Sequence, residues 1–442
     1  MSGFESTMQP MHVSILTNPR CRPIAEAQAR NLESKYGASV EMLYIDSDGK
    51  GNERIDAMRE EWSKLRLASG PATRYNDPER AVRGIAFTAK SEDPRAKATY
   101  VVLARQGESK AVLISHIKKV AVPGRPRAMS NMAPTITSLE VPETGIVVHQ
   151  GPELSDLCSK IAQSALARGV ADHVWIRNLW VDHPAFDALT QWRHLGAYGS
   201  SEPKIRRWAT LLDPDTGERI DKHSGKTRAN LRKADRKFVK AFDGDVEFEC
   251  VTQPEQVEDF VRDATGIIAK TYQAALGIGA QDTEQYRSYL REMAKAGALR
   301  GYVIRGKGVP IAYVVGDRWG TAFTLWATSF LPEHRGLSPG IVTLRRVMES
   351  LAAEGVAKFD FGWGEAEYKK KLGDYHTDEA DISLYAKRLI PAFTFMGRST
   401  YQAAKAQTEQ IIARHGARDR LKSIWRKKLT GSRSASERSS GP

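Results

Sequence analysis

Three side chains in the last third of the chain, Asp360, Tyr368 and Lys369, have the types that an acid–base step needs and lie close together in sequence. A carboxylate at a strand end takes a proton or orients a substrate. A phenol gives a proton to a departing thiolate, and an ammonium stabilises a carbonyl oxygen. Bland readings stand beside these. Asp360 can simply cap the glycine-rich turn Gly362-Trp363-Gly364, and Lys369 opens a Lys-Lys-Lys run of the kind that is usually solvated. Glu365 and Glu367 are weaker candidates. Upstream, Arg335, Gly336, Ser338 and Gly340 form a turn ahead of a helix. Free N–H groups and the positive dipole end at such a start suit a phosphate-bearing ligand, and Arg335 adds a mobile cation. The same turn also serves merely to begin a helix.

The elements that must position these groups are well signalled. Ser338 is placed to cap the helix, Pro339 to be its first residue, and Ile341, Leu344, Val347, Met348 and Leu351 recur on one helical face until Gly355 stops it. A short apolar strand, Lys358–Phe361, follows. Alternation along it sends the Asp360 carboxylate to the face opposite Phe359 and Phe361.

The order strand, Ser-Pro-Gly turn, helix, Phe-Asp-Phe-Gly-x-Gly and Tyr-Lys resembles the CelD-type branch of the Gcn5-related N-acyltransferases, the GNAT superfamily, which is similar in turn to the Fem ligases. The resemblance extends loosely over residues 55 to 390 and leaves both ends unexplained. It implies an acyl-CoA co-substrate, probed by a backbone N–H of the fourth strand, Thr321–Thr328, with the pyrophosphate on Arg335, Gly336, Ser338 and Gly340. It also implies transfer of an acyl group, acetyl first, to an amine or hydroxyl of a polysaccharide or cell-envelope precursor. The turn departs from the better-known Arg-x-x-Gly-x-Gly form, because its glycines fall directly after Arg335 and at the end.

Elsewhere the pattern is of mixed hairpins and helices, an α/β or α+β layered protein. A βαβ-like start (strand from His12, helix 23 to 36, strand Ser39–Ile45) precedes a helix over 53 to 68 with Ile55, Met58, Trp62 and Leu65 on one face. A hairpin spans Thr99–Arg105 and Lys110–Val122, and 123 to 142 reads as a long loop. Helices over 153 to 168 and 184 to 194 alternate with strands His173–Leu179 and Ile205–Leu212. In the second half, strands Asp245–Val251, Arg300–Arg305, Val309–Asp317 and Thr321–Thr328 are interleaved with helices over 254 to 275 and 282 to 297, and Ile382–Ala386 ends the sheet. Gly306-Lys307-Gly308 reads as a hairpin turn, and Trp319, Phe323 and Trp326 as core.

Ala353-x-Gly355-Val356-Ala357 repeats Ala167-x-Gly169-Val170-Ala171 at an offset of 186, each after a helix and before a strand. At that offset Arg335, Ser338, Gly340 and Asp360 become His149, Pro152, Leu154 and Val174, so the first copy lacks every phosphate-binding or catalytic feature. The expected organisation is therefore tandem Gcn5-related acyltransferase-like domains: an N-terminal extension over 1 to 52, a degenerate domain over 53 to 215, a basic connecting helix over 216 to 244, a catalytic domain over 245 to 390, a C-terminal amphipathic helical region over 391 to 430, and a disordered tail over 431 to 442.

The net charge of +13 is carried by two stretches, residues 219 to 240 and 414 to 438, each with nine Lys/Arg against two acidic residues. Anionic partners are expected for both: substrate or donor phosphates for the first, an anionic membrane surface through 414 to 430 for the second. Three scattered cysteines, Cys21, Cys158 and Cys250, make no disulfide framework, ten histidines show no His-x-x-x-His spacing, and no Gly-x-Ser-x-Gly is present, so no metal or serine-hydrolase chemistry is expected. With no secretory signal apparent, the expected location is cytoplasmic, peripheral at the inner membrane face if the tail binds lipid. Two other functions fit the charge: Fem-like transfer from aminoacyl-tRNA, and a non-catalytic module holding nucleic acid or anionic membrane.

Overall fold

The computed structural model describes residues 9–46, 52–68, 74–89, 97–121, 135–202, 205–213, 218–219, 225–271, 273 and 279–414. Expectations for the first eight residues, for 415 to 430 and for the tail lie outside them. The first stretch comprises β1 (Met11–Thr17), α1 (Arg22–Tyr36), β2 (Ser39–Tyr44), α2 (Glu53–Ala68), α3 (Pro78–Ala89), β3 (Ala98–Gln106), β4 (Ser109–Ala121), β5 (Thr135–Val141), β6 (Ile146–His149), α4 (Leu154–Ala165), β7 (His173–Trp180), α5 (Phe186–Thr190), β8 (Ala197–Ser201) and β9 (Ile205–Asp213). There follow β10 (Glu218–Arg219), α6 (Gly225–Ala241), β11 (Val246–Val251), α7 (Val257–Ala269), α8 (Glu284–Lys295), β12 (Leu299–Gly306), β13 (Val309–Trp319), β14 (Ala322–Phe330), α9 (Pro339–Ala353), β15 (Lys358–Trp363), α10 (Glu367–Leu372), β16 (Tyr375–Ala386) and α11 (Leu389–Arg414). By contacts the chain divides into two units, Met1–Ile205 with Thr377–Ala406, and Arg206–His376 with Gln407–Pro442.

In the first unit β2, β1, β3, β4, β5, β7, β16 and β8 are successive neighbours, parallel at β1–β2 and β5–β7 and antiparallel elsewhere. β1 pairs with both β2 and β3, so Met11–Thr17 and Ser39–Tyr44, expected in a separate N-terminal extension, belong to this sheet. α2 buries Ile55, Met58, Trp62 and Leu65 as its periodicity predicts, each worth about 1.5–3 kcal/mol of burial. α3 and β5 were not legible: α3 follows a Pro/Gly/Asn-containing connection, and β5 occupies the end of the expected loop 123 to 142.

In the second unit the order is β11, β12, β13, β14, β15, β9, β10, with β14–β15 parallel and the rest antiparallel. One face packs on α7 and α8 through residues such as Phe260, Ile267 and Leu290; the other packs on α9 through Leu344, Val347 and Leu351 against Phe323, Phe359 and Phe361. The two-residue turn Lys307-Gly308 has φ of 51° and 75°, the geometry that a tight hairpin between Gly306 and Val309 demands.

The units repeat one plan: a hairpin, a third strand, a helix, a strand parallel to the third, and an antiparallel closing strand. Gly169 and Gly355, the repeated glycines, have φ of 85° and 83°, conformations a side chain rarely tolerates; Gly355 directly follows the cap of α9, whereas Gly169 lies in the turn four residues past the end of α4. The closing strands correct the expected boundaries. β9 precedes the basic helix yet closes the second unit against β15, whereas β16 follows the catalytic segment yet pairs with β7 and β8 in the first. Sequence order does not dictate which ladder completes a sheet.

Candidate functional site

The site lies in the second unit where β14 and β15 part. Their parallel ladder holds only Ala322, Phe323 and Thr324 opposite Lys358, Phe359 and Asp360, while β14 runs on to Phe330. Among the described residues, no strand pairs with β14 on that side beyond Thr324. The same strand carries an irregularity: Val315 faces Ala327 and Gly316 faces Leu325, so Trp326 is an extra residue that turns the strand edge.

The parted strands open into a cleft of about 860 Å³, within the usual size of small-molecule sites. Arg335, Ser338 and Gly340 line it from one side, Tyr368 from another, Ser329 and Phe330 along β14, and Lys270 at the rim. Arg335, Gly336 and Ser338 are exposed. A short 3-10 helix, Pro332–Leu337, leads into α9. Ser338 occupies the cap position but with φ of 54°, and its side chain bonds no backbone amide. That corrects the capping expectation: the left-handed residue bends the chain sharply, with its own amide donating to the Arg335 carbonyl at 3.0 Å. Among the described residues, no acceptor faces the Gly340 amide and no carboxylate pairs with Arg335. Both groups are therefore available to an anion.

The structure brings Arg335, Ser338, Gly340 and Tyr368 together on the cleft, and it places Asp360 and Lys369 in the wall behind. Asp360 is 4% exposed. Its carboxylate accepts from Arg207 Nε at 2.6 Å and from the Gly362 amide at 2.8 Å, with Lys358 Nζ at 3.8 Å. The capping reading of Asp360 is the one its contacts match. Tyr368 and Lys369 follow one another on α10, so they diverge by about 100° around its axis. Tyr368 packs edge-on to Phe361, with ring centroids 6.2 Å apart. Lys369 turns inward, is buried, and donates to the Trp363 carbonyl. Burial pushes its ammonium down to about 8, Asp360 opposing and Arg207 adding to the push. Arg207 also stacks its guanidinium 5.2 Å from the Trp363 ring centre. Charge in this wall is thus one carboxylate between buried cations.

Sequence reasoning did not find Arg207, which lies in β9, far upstream, with no local signal. It named Lys237 only among the cations of the basic helix, with no role of its own. In α6 the Lys237 ammonium donates to the Gly336 carbonyl at 2.9 Å, which brings a cation onto the donor turn. Of the aromatic set, Phe323 is core, while Trp319 and Trp326 each donate an indole N–H to the buried Asp317 at 2.8 Å. In the first unit, by contrast, the space beneath α4 is about 30 Å³ and lined by Cys158, Ile161, Val174 and other apolar residues.

Residues 225–370 match the family model described as an acetyltransferase (GNAT) domain. No match is found among curated proteins. Among solved structures the chain is similar to FemX (TM-score 0.51, 11% identity, covering 74% of this chain and 95% of that one), a likeness of fold. Looser similarities are to a tandem GNAT protein from the clavulanic acid biosynthesis pathway (TM-score 0.40, 15% identity, 76% and 96% covered) and to L-PGS from Bacillus licheniformis (TM-score 0.39, 12% identity, 76% and 94% covered). Among the described residues no helix is long and apolar enough to cross a membrane, and no cluster of His, Cys, Asp or Glu is arranged to hold a metal ion.

Proposed function

We propose that this chain, whose residues 225–370 match the acetyltransferase (GNAT) domain model, is an N-acyltransferase that moves an acyl group from acyl-CoA, acetyl-CoA first, to an amine or hydroxyl of a polysaccharide or cell-envelope precursor. The acceptor class rests on the CelD-type resemblance alone. The observation that carries the donor is the end of the β14–β15 ladder at Thr324 and Asp360, opening beside a helix start whose Gly340 amide has no acceptor among the described residues.

In this reading the donor diphosphate lies on Arg335, Gly336, Ser338 and Gly340, and the thioester carbonyl lies along β14 past Thr324. The acceptor nitrogen or oxygen attacks that carbonyl, the C–S bond breaks, and Tyr368 protonates the departing thiolate. The proton lost by the acceptor leaves to solvent. The backbone N–H groups of β14 past Thr324 receive the developing oxyanion, while Lys369, held on the Trp363 carbonyl, and Asp360 with Arg207 keep the buried side of the site in place.

Calorimetry with acetyl-CoA and longer thioesters tests the donor. The expected result is saturable binding that Arg335→Ala weakens at least tenfold; no binding of any acyl-CoA overturns the reading. Lys270 on the cleft, with Lys237 on the Gly336 carbonyl and Lys370 in the neighbouring hollow beside Tyr368, favours a second reading, transfer from aminoacyl-tRNA. Binding of charged tRNA by a chain indifferent to coenzyme A selects it.

A further inference from the structure

α11 meets the first unit along one side only. There Phe395 stacks on Tyr198 of β8 and packs on Tyr385 of β16, with ring centroids 5.6 and 5.7 Å apart, Thr394 is buried, and Arg398 pairs with Glu202. The other side is bare. Leu389 is 73% exposed, Ile390 46%, Phe393 60%, Met396 51% and Tyr401 67%. At about 100° per residue these five, with the small or uncharged Gly397, Thr400 and Ala404 between them, cover an arc of roughly 140°. No charged residue falls within that arc from Leu389 to Ala404.

We propose that this stripe lies in the interface of an anionic membrane, parallel to its surface, and holds the enzyme there. Aliphatic and aromatic side chains on one face of a helix that does not span are what an interfacial helix presents to lipid. Charge decides between lipid and the other occupants. The stripe begins after the exposed Lys387, and the sequence beyond its far end, 414 to 428, holds seven Lys/Arg against Asp419 alone. Basic residues directly following an apolar helix face complement anionic headgroups. A symmetric dimer through the stripe would instead have to accommodate two copies of that charge.

The test is co-sedimentation of the full chain with phosphatidylcholine vesicles and with vesicles of phosphatidylcholine and phosphatidylglycerol at 3:1 (about one quarter anionic,), in low and high salt, alongside sedimentation velocity without lipid. The wild type should partition at least tenfold more strongly onto the anionic vesicles. The pair Phe393→Glu and Met396→Glu should lose that partition at least tenfold while melting as the wild type does, since both positions are exposed. If that pair melts lower, Phe393→Ser with Met396→Ser takes its place. Reversing Arg426, Lys427 and Lys428 to Glu should abolish binding in low salt. A wild type left in the supernatant overturns the proposal, and so does a Glu pair that binds as well as wild type. A lipid-free dimer that the Glu pair dissolves overturns it in favour of a second copy.

Discussion

Lys369→Met probes the wall of the site directly. In the unfolded chain the ammonium titrates at its ordinary 10.5, and in the folded chain burial brings it down to about 8. Between those values the unfolded chain binds more protons than the folded one, so the wild type gains stability as pH rises from about 8 toward 10.5. Below pH 8 the full cost of holding the charge is present; above 10.5 it is gone. At about 1.4 kcal/mol per pH unit between the two values, the whole window is worth about 3 kcal/mol. Lys369→Met has nothing to titrate there, so the stability difference between wild type and variant should change by about 2 kcal/mol from pH 7 to pH 9.5 in urea unfolding. Parallel pH curves would refute the buried charge.

Three further outcomes are expected. Arg207→Met strips the main partner from a buried carboxylate and should cost about 3–5 kcal/mol in denaturant unfolding, most of it regained when Asp360→Leu is added; an unchanged midpoint would mean that Asp360 is not held by this pair. Tyr368→Phe should lower kcat by about 10²- to 10⁴-fold with donor binding intact, and an unaltered rate removes the phenol from leaving-group protonation. Gly340→Val should raise the donor Kd at least tenfold, because even a β-carbon there comes within 3.2 Å of the Phe330 ring, which lines the same cleft; donor binding equal to wild type would move the phosphate elsewhere.

What was legible in the sequence is what repeats locally. The face Ile341, Leu344, Val347, Met348 and Leu351, the alternation Phe359-Asp360-Phe361 and the stop at Gly355 each encode a period or a φ value within a few residues, and the helix, the strand and the end of α9 formed as read. The turn from Arg335 to Gly340 was likewise visible, although its left-handed Ser338 was not, because φ at one residue is set by how the flanking elements must meet. Only the tertiary structure separated Tyr368, on the cleft, from Asp360 and Lys369, in its wall: side-chain direction on α10 and β15 depends on what each packs against. Only it paired Asp360 with Arg207 across 153 positions of chain and gave β9 and β16 to units opposite their place in the sequence. Local pattern fixes how a segment folds, because its own backbone and nearest side chains carry that energy; which distant strand or charge completes it depends on contacts that no stretch of sequence contains by itself.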